Sequence, residues 1–317
     1  MKSVPLSLAV CFSLCAALTT GCPRNPLRSA PTRRRTEPTI SVYFHENNTK
    51  RKMSTEEYLV GVVAGEMRPN WPRNAYAAQA ILARTFTMEF IARGGTRKLH
   101  GTDICTDEKH AQAYTTSAIT PAIRKAVADT KGIVMLHRGK YVHGWFSASC
   151  GGRTTYSREG LAYKGAEPPY ISSVECPEGT VIPRSEQRWR AEFTGTEVAA
   201  ALQKAAGKSV GPAVTKAERL GINQLTHRTA RIKLTGAKGT VELPAADLRV
   251  AIGPERMRSI WLEELQSGGG SITMAGRGFG HGVGLCQWGA YALAKQGRSA
   301  QEIVRHYYPK VDVVKNW

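Results

Sequence analysis

Residues 276–284 place a glycine at every second position: Gly276, Gly278, Gly280, Gly282 and Gly284, with Arg277, Phe279, His281 and Val283 between them. Such a segment is a loop whose backbone packs tightly or closes on a ligand, because glycine lets main chains approach one another. It is not a phosphate cradle. The Gly-Lys-Ser/Thr ending of a P-loop is missing, and the spacing does not match the dinucleotide fingerprint. His281 in this loop is either a site residue or a turn-former.

The segments around the loop alternate between strand and helix patterns. Residues 40–46 alternate like a strand. Ser54 and Glu57 have capping-box spacing, and residues 56–66 then read as a helix on Tyr58, Leu59, Val62 and Val63. Pro69 and Trp71-Pro72 make a rigid link to a second, alanine-rich helix over 73–93, stopped by Gly94-Gly95. Residues 96–120 are loop-like, 121–129 a short helix, and 133–137 with 141–149 a hairpin around 138–140. From 189 the pattern changes: a strand at 189–193, a helix at 197–206, and a hairpin of 231–234 with 240–243. This predicts a small α+β insertion over 190–262. The chain returns through 271–274 and ends in helices over 287–296 and 300–306. The expected class is α+β, an antiparallel sheet packed by helices around a substrate groove.

Compartment narrows the function. Lys2 followed by the apolar residues 4–18 reads as a secretory signal over 1–21, too short for a stable membrane span. Gly21-Cys22 resembles a bacterial lipobox, which makes Cys22 the expected lipid anchor to the membrane. Cleavage by the ordinary signal peptidase is the alternative, because Thr19 stands where an aliphatic residue is usual. Residues 22–39 read as a flexible basic tether, and the body as 40–310. The formal charge of +19 calls for a polyanionic partner. Export argues against nucleic acid and for a cell-wall polymer.

Four blocks in order carry a resemblance: residues 57–67 (Glu-Tyr-Leu-Val-Gly-Val-Val-Ala-Gly-Glu-Met), 78–85 (Ala-Gln-Ala-Ile-Leu-Ala-Arg-Thr), 146–154 (Phe-Ser-Ala-Ser-Cys-Gly-Gly-Arg-Thr) and 278–290 (Gly-Phe-Gly-His-Gly-Val-Gly-Leu-Cys-Gln-Trp-Gly-Ala). Together they resemble the SpoIID/LytB family of bacterial cell-wall proteins over roughly 40–310. The resemblance implies one of two activities. SpoIID-type members are lytic transglycosylases that cut peptidoglycan glycan strands stripped of stem peptides, and LytB-type members enhance a partner amidase. It also implies Glu66 as the catalytic acid. The residues agree: Val62, Val63, Ala64, Met67, Pro69 and Trp71 surround Glu66 with apolar groups, which raise a carboxyl pKa. No second acidic residue stands in a comparable block; Glu89 and Asp103, the other candidates, lie outside the blocks. A lone acid suits transglycosylation, in which the substrate's own C6 hydroxyl is the nucleophile. Arg84 is expected to hold the lactyl carboxylates of the strand, and Trp71, His143, Ser149, Tyr170, His281 and Gln287 to line the groove.

The cysteines leave alternatives. His100, Cys105 and His110 are spaced as zinc ligands, and the resemblance implies a zinc cluster here in some members. The cluster's usual last cysteine is absent, since Ala111 follows His110, so a fourth ligand is water or a distant thiol. The chemistry requires no cofactor, and any zinc is structural. The rivals are a disulfide using Cys105 or a buried free thiol. Cys150 and Cys176 are the expected disulfide, leaving Cys105 with Cys286.

Overall fold

The computed structural model describes residues 36–317. The signal segment, Cys22 and residues 23–35 of the expected tether lie outside the described residues. The tether's last residues are built into the fold. The Pro38 carbonyl accepts the Thr55 N–H at 3.1 Å, Glu37 pairs with Lys131 at 2.7 Å, and Thr39 opens the first strand.

Strand β1 (Thr39–Phe44) turns back as β2 (Thr49–Ser54). Ser54 caps helix α1 (Thr55–Glu66), its hydroxyl accepting the Glu57 N–H at 3.2 Å. Between Glu57 and Glu66 α1 carries no charged side chain, and Tyr58, Leu59, Val62 and Val63 are fully buried. A helix apolar all round has to sit inside the molecule. It does, against α2 (Arg73–Ala92), whose alanines at 75, 78, 80 and 83 keep the contact close.

The expected loop contains a short helix, α3 (Arg97–His100), and β3 (Ile104–Cys105), which pairs parallel to β1. Helix α4 (Pro121–Asp129) follows, then β4 (Ile133–His137) and β5 (Lys140–Tyr141). The second arm of the expected hairpin is therefore only two residues long. The chain leaves it for β6 (Phe146–Ser147), α5 (Ser157–Gly160), a 3-10 turn at Pro177–Thr180, and α6 (Arg184–Gln187).

A second core begins at β7 (Arg188–Thr194) and α7 (Gly195–Ala206). It continues through β8 (Val214–Ile222), β9 (Thr229–Gly236), β10 (Gly239–Pro244), α8 (Ala245–Ile252), β11 (Trp261–Gly268) and β12 (Ser271–Arg277). Strand β12 lies between β11 and β7, burying Ile272 and Met274. This unit therefore extends to about 277 rather than 262, since the strand seen at 271–274 has its partners there. The chain rejoins the first core through β13 (Leu285–Cys286), parallel to β6, then α9 (Gln287–Lys295), α10 (Ala300–Tyr307) and β14 (Asp312–Lys315), which pairs with β4. The fold is α+β. Among the described residues its strands form several small sheets instead of one antiparallel sheet. No helix among the described residues is long and apolar enough to cross a membrane.

A candidate active-site cleft at the end of a buried helix

Helix α1 ends on Glu66, at the wall of a cleft of about 130 Å³ lined by Arg68, Trp71, Ala148, Ser149, Glu186, Phe279, Gln287 and Trp288. The alternating glycines explain how distant segments meet here. Ser149 and Phe279 exchange both backbone hydrogen bonds, at 3.0 and 2.8 Å, and the Trp288 N–H reaches the Ala148 carbonyl at 3.1 Å. Gly280 has φ +110°, and a Cβ there would meet the Ser147 Cβ at 2.6 Å. Only glycine permits that approach.

Burial pushes the Glu66 carboxyl from its ordinary value of 4.5 up to about 7. The Ala113 N–H, donated to Oε1 at 2.8 Å, opposes the shift, and the nearby charge of Glu108 adds to it. Gly65 makes the Ala113 contact possible, because a Cβ there would lie 2.7 Å from the backbone of Ala113 and Tyr114. Gly65→Ala is therefore expected to displace this segment. It should cost about 1–3 kcal/mol of stability, measured by thermal denaturation. It should also raise the Glu66 pKa further, measured by carbon-13 NMR of labelled glutamate, because the hydrogen bond that lowers it is lost. An unchanged stability and pKa would dismiss the contact.

Trp71 packs on Trp288 and Tyr291, with ring centroids 4.8 and 5.1 Å apart, and gives one side of the cleft an aromatic face. Gln287 donates from Nε2 to the Glu66 carbonyl at 3.1 Å, tying α9 to the end of α1. Ser149 lines the cleft, but its hydroxyl is donated to Glu178 at 3.0 Å.

Four expected site residues do not line the cleft. Arg84 is fully buried, its guanidinium forked on Glu56 with Nε–Oε1 2.9 Å and Nη2–Oε2 2.5 Å and a further bond to the Ile133 carbonyl at 3.0 Å. It faces the core from the inner side of α2 and cannot reach a strand in the cleft. His143 and Tyr170 belong to a cluster with Glu89 that does not line the cleft. His143 Nδ1 is 3.1 Å from Glu89 Oε1, and the Tyr170 hydroxyl accepts the His143 N–H at 3.1 Å. His281 is the turn-former of the two alternatives. Its Nδ1 accepts the Val283 N–H at 3.0 Å, and burial together with the Arg249 charge holds its pKa down at about 3.

The cleft also contains residues the sequence did not single out. Arg68 pairs with Glu186 at 2.7 Å and stacks over Trp288, 5.7 Å from the ring centroid. Trp288 stands inside the fourth sequence block and could have been chosen for its size. Glu186 lies in no block, and nothing near it in sequence marks it. Asp103 is held by Ser41 and Arg97 and has no place in the cleft.

His100, Cys105 and His110 come together, with ligand atoms within 4.8 Å of one another. Cys105 Sγ is 3.7 Å from His110 Nδ1, and His100 Nε2 is buried without a hydrogen-bond partner, as a ligand nitrogen would be. Cys105, Cys150, Cys176 and Cys286 are all free thiols, so Cys150 and Cys176 do not form the expected bridge. They meet instead around a third group, Glu178.

Comparison with known proteins places the chain among bacterial relatives. Residues 43–137 match the family described as "Stage II sporulation protein", and residues 182–284 match "Domain of unknown function (DUF8618)". The chain is 28% identical over 295 residues to the stage II sporulation protein D of Bacillus amyloliquefaciens, covering 89% of this chain and 80% of that one. It is 30% identical over 273 residues to an uncharacterized protein of Brachyspira hyodysenteriae, covering 83% and 67%. It is 26% identical over 290 residues to the amidase enhancer of Bacillus subtilis, covering 79% of this chain and 39% of that protein. The four ordered blocks, the matched family and these relatives place the chain in the SpoIID/LytB family.

Proposed function

We propose that this chain is a lytic transglycosylase that cuts denuded peptidoglycan glycan strands in the cell envelope, where Cys22 serves as its lipid anchor. The observation that carries the reading is a carboxyl held at a pKa of about 7 in an aromatic-walled cleft. Such a group is part protonated at neutral pH and can give and then take the same proton. Glu66 protonates the glycosidic oxygen, and the bond from that oxygen to C1 of N-acetylmuramic acid breaks. The C6 hydroxyl of the same sugar attacks C1 as Glu66 takes its proton. The product is a 1,6-anhydro end, and no water is consumed. Trp71 offers a face to a sugar ring. Arg68, 58% exposed at the cleft, takes the lactyl-carboxylate role first assigned to Arg84. His100, Cys105 and His110 hold a structural zinc that pins the segment leading to Ala113; the cleavage itself needs no cofactor.

The second reading is an amidase enhancer, favoured by the match to a protein of that name along 79% of this chain. Purified chain incubated with denuded strands separates the two. The first predicts new 1,6-anhydro ends from strands alone. The second predicts none, together with faster cleavage of intact wall by an added amidase.

A further inference from the structure

Behind the cleft wall three chain segments converge. Cys150 follows β6, Cys176 and Glu178 open the 3-10 turn, and Cys286 caps α9. Glu178, Cys150 and Cys286 have no solvent exposure, and Cys176 has 9%. Their ligand atoms all lie within 4.8 Å of one another. Glu178 Oε2 is 2.7 Å from Cys286 Sγ, 3.7 Å from Cys150 Sγ and 4.0 Å from Cys176 Sγ.

We propose that Cys150, Cys176, Cys286 and Glu178 form a second, structural metal site that takes one thiophilic divalent ion of the zinc class. Zinc bonds of about 2.3 Å to sulfur and about 2.1 Å to oxygen put tetrahedral ligand atoms roughly 3.6–3.8 Å apart. Two of the three sulfur–oxygen distances are near that edge, and Cys286 has only to draw back from Glu178. Three soft thiolates with one carboxylate select zinc over magnesium or calcium.

The surroundings supply what such a site needs. The N–H groups of Cys150 and Gly289 point at Cys286 Sγ, at 3.3 and 3.4 Å, and the Tyr307 hydroxyl is 3.2 Å from Cys176 Sγ. Donors of this kind orient and stabilise metal-bound thiolates. Ser149 and the Cys150 N–H, each at 3.0 Å, orient the two Glu178 oxygens. Arg228 is buried to 2% exposure, and among the described residues it forms no direct ion pair, though the charges of Glu159 and Glu178 act on it. It donates instead to the carbonyls of Cys150, Arg153 and Thr226, at 2.6, 3.1 and 2.7 Å. A divalent ion held by three thiolates and a carboxylate keeps a net negative charge, and Arg228 is the buried cation that offsets it. Without the ion, Glu178 makes no direct ion pair among the described residues, and Arg228 meets it and Glu159 only as nearby charges. A disulfide between any two of the cysteines would leave the third thiol and Glu178 stranded.

The site would staple β6, the turn and the start of α9, the segments that carry Ser149, Gln287 and Trp288 to the cleft. The test uses the full chain with Cys105→Ser, which removes the thiol of the other cluster, purified without added metal. Elemental analysis should find about one zinc per chain. Adding Cys176→Ser should lower that more than about tenfold. Cobalt exchanged into the Cys105→Ser chain should give a thiolate-to-metal charge-transfer band of three-thiolate strength, a reading that needs no ligand variant to fold. Zinc content unchanged by Cys176→Ser would overturn the proposal. So would a chain with no bound metal, or a thiol count showing two of the three cysteines joined as a disulfide.

Discussion

Glu66→Gln is expected to lower glycan-strand cleavage by about a hundred- to ten-thousand-fold while strand binding stays within about twofold. Glutamine keeps the side-chain oxygen that accepts the Ala113 N–H, so the end of α1 should hold its geometry, and the proton is what is lost. The wild-type rate should fall as pH rises through about 7, where Glu66 loses its proton. Stability carries the same signature. The folded chain holds this proton to about pH 7, whereas the unfolded chain releases it near 4.5. The stabilisation is therefore complete below 4.5 and is lost as pH rises to 7. At pH 8 the glutamine variant should be more stable than wild type by about 1–3 kcal/mol, the linkage value discounted for partial exposure, and the difference should vanish below pH 4.5. Denaturant titrations at the two pH values check this. A variant that cuts at the wild-type rate moves the active site elsewhere.

Arg84→Met is expected to cost about 3–5 kcal/mol, because it leaves Glu56, whose side chain is only 13% exposed, without its cation. Glu56 is a junction: Oε1 also accepts the Gly132 N–H at 3.0 Å and the Trp317 indole N–H at 3.1 Å, which ties the chain's last residue to the start of α1. The expected fall in Tm is roughly 10 °C, measured by calorimetry. Below the transition KM for glycan strands should be unchanged. A variant with wild-type Tm and raised KM would return Arg84 to substrate binding.

Glu66 and Arg84 mark what a sequence can and cannot carry. The pKa-raising setting of Glu66 was legible because the features that make it are local: an apolar helix before it and Met67, Pro69 and Trp71 after it. Arg84 was misplaced because its block marks it as special without saying which side of α2 it faces. Its partner Glu56 is 28 residues away, and only the packing of α1 on α2 brings them together. Periodicity gave the first two helices to within one residue of their ends. It missed β8, α8 and β11, whose residues are ordered by pairing across the second core rather than by their own pattern. Glu186 entered the cleft through tertiary contact alone. The cysteines were counted correctly and paired wrongly, since spacing suggested a bridge where folding brings a third thiol and Glu178 to the same point.

Glu186 also decides how the central claim is best tested. It is a second carboxylate in the cleft, and two carboxylates would permit hydrolysis by water. Its pairing with Arg68 at 2.7 Å argues for a binding role, and the proposed reading then has Glu66 as the one acid. Denuded strands digested in water enriched in heavy oxygen, with the products read by mass spectrometry, separate these chemistries. The account predicts 1,6-anhydro ends that carry no heavy oxygen, formed by the wild type and not by Glu66→Gln. Reducing ends labelled with heavy oxygen would contradict it, as would strands left uncut.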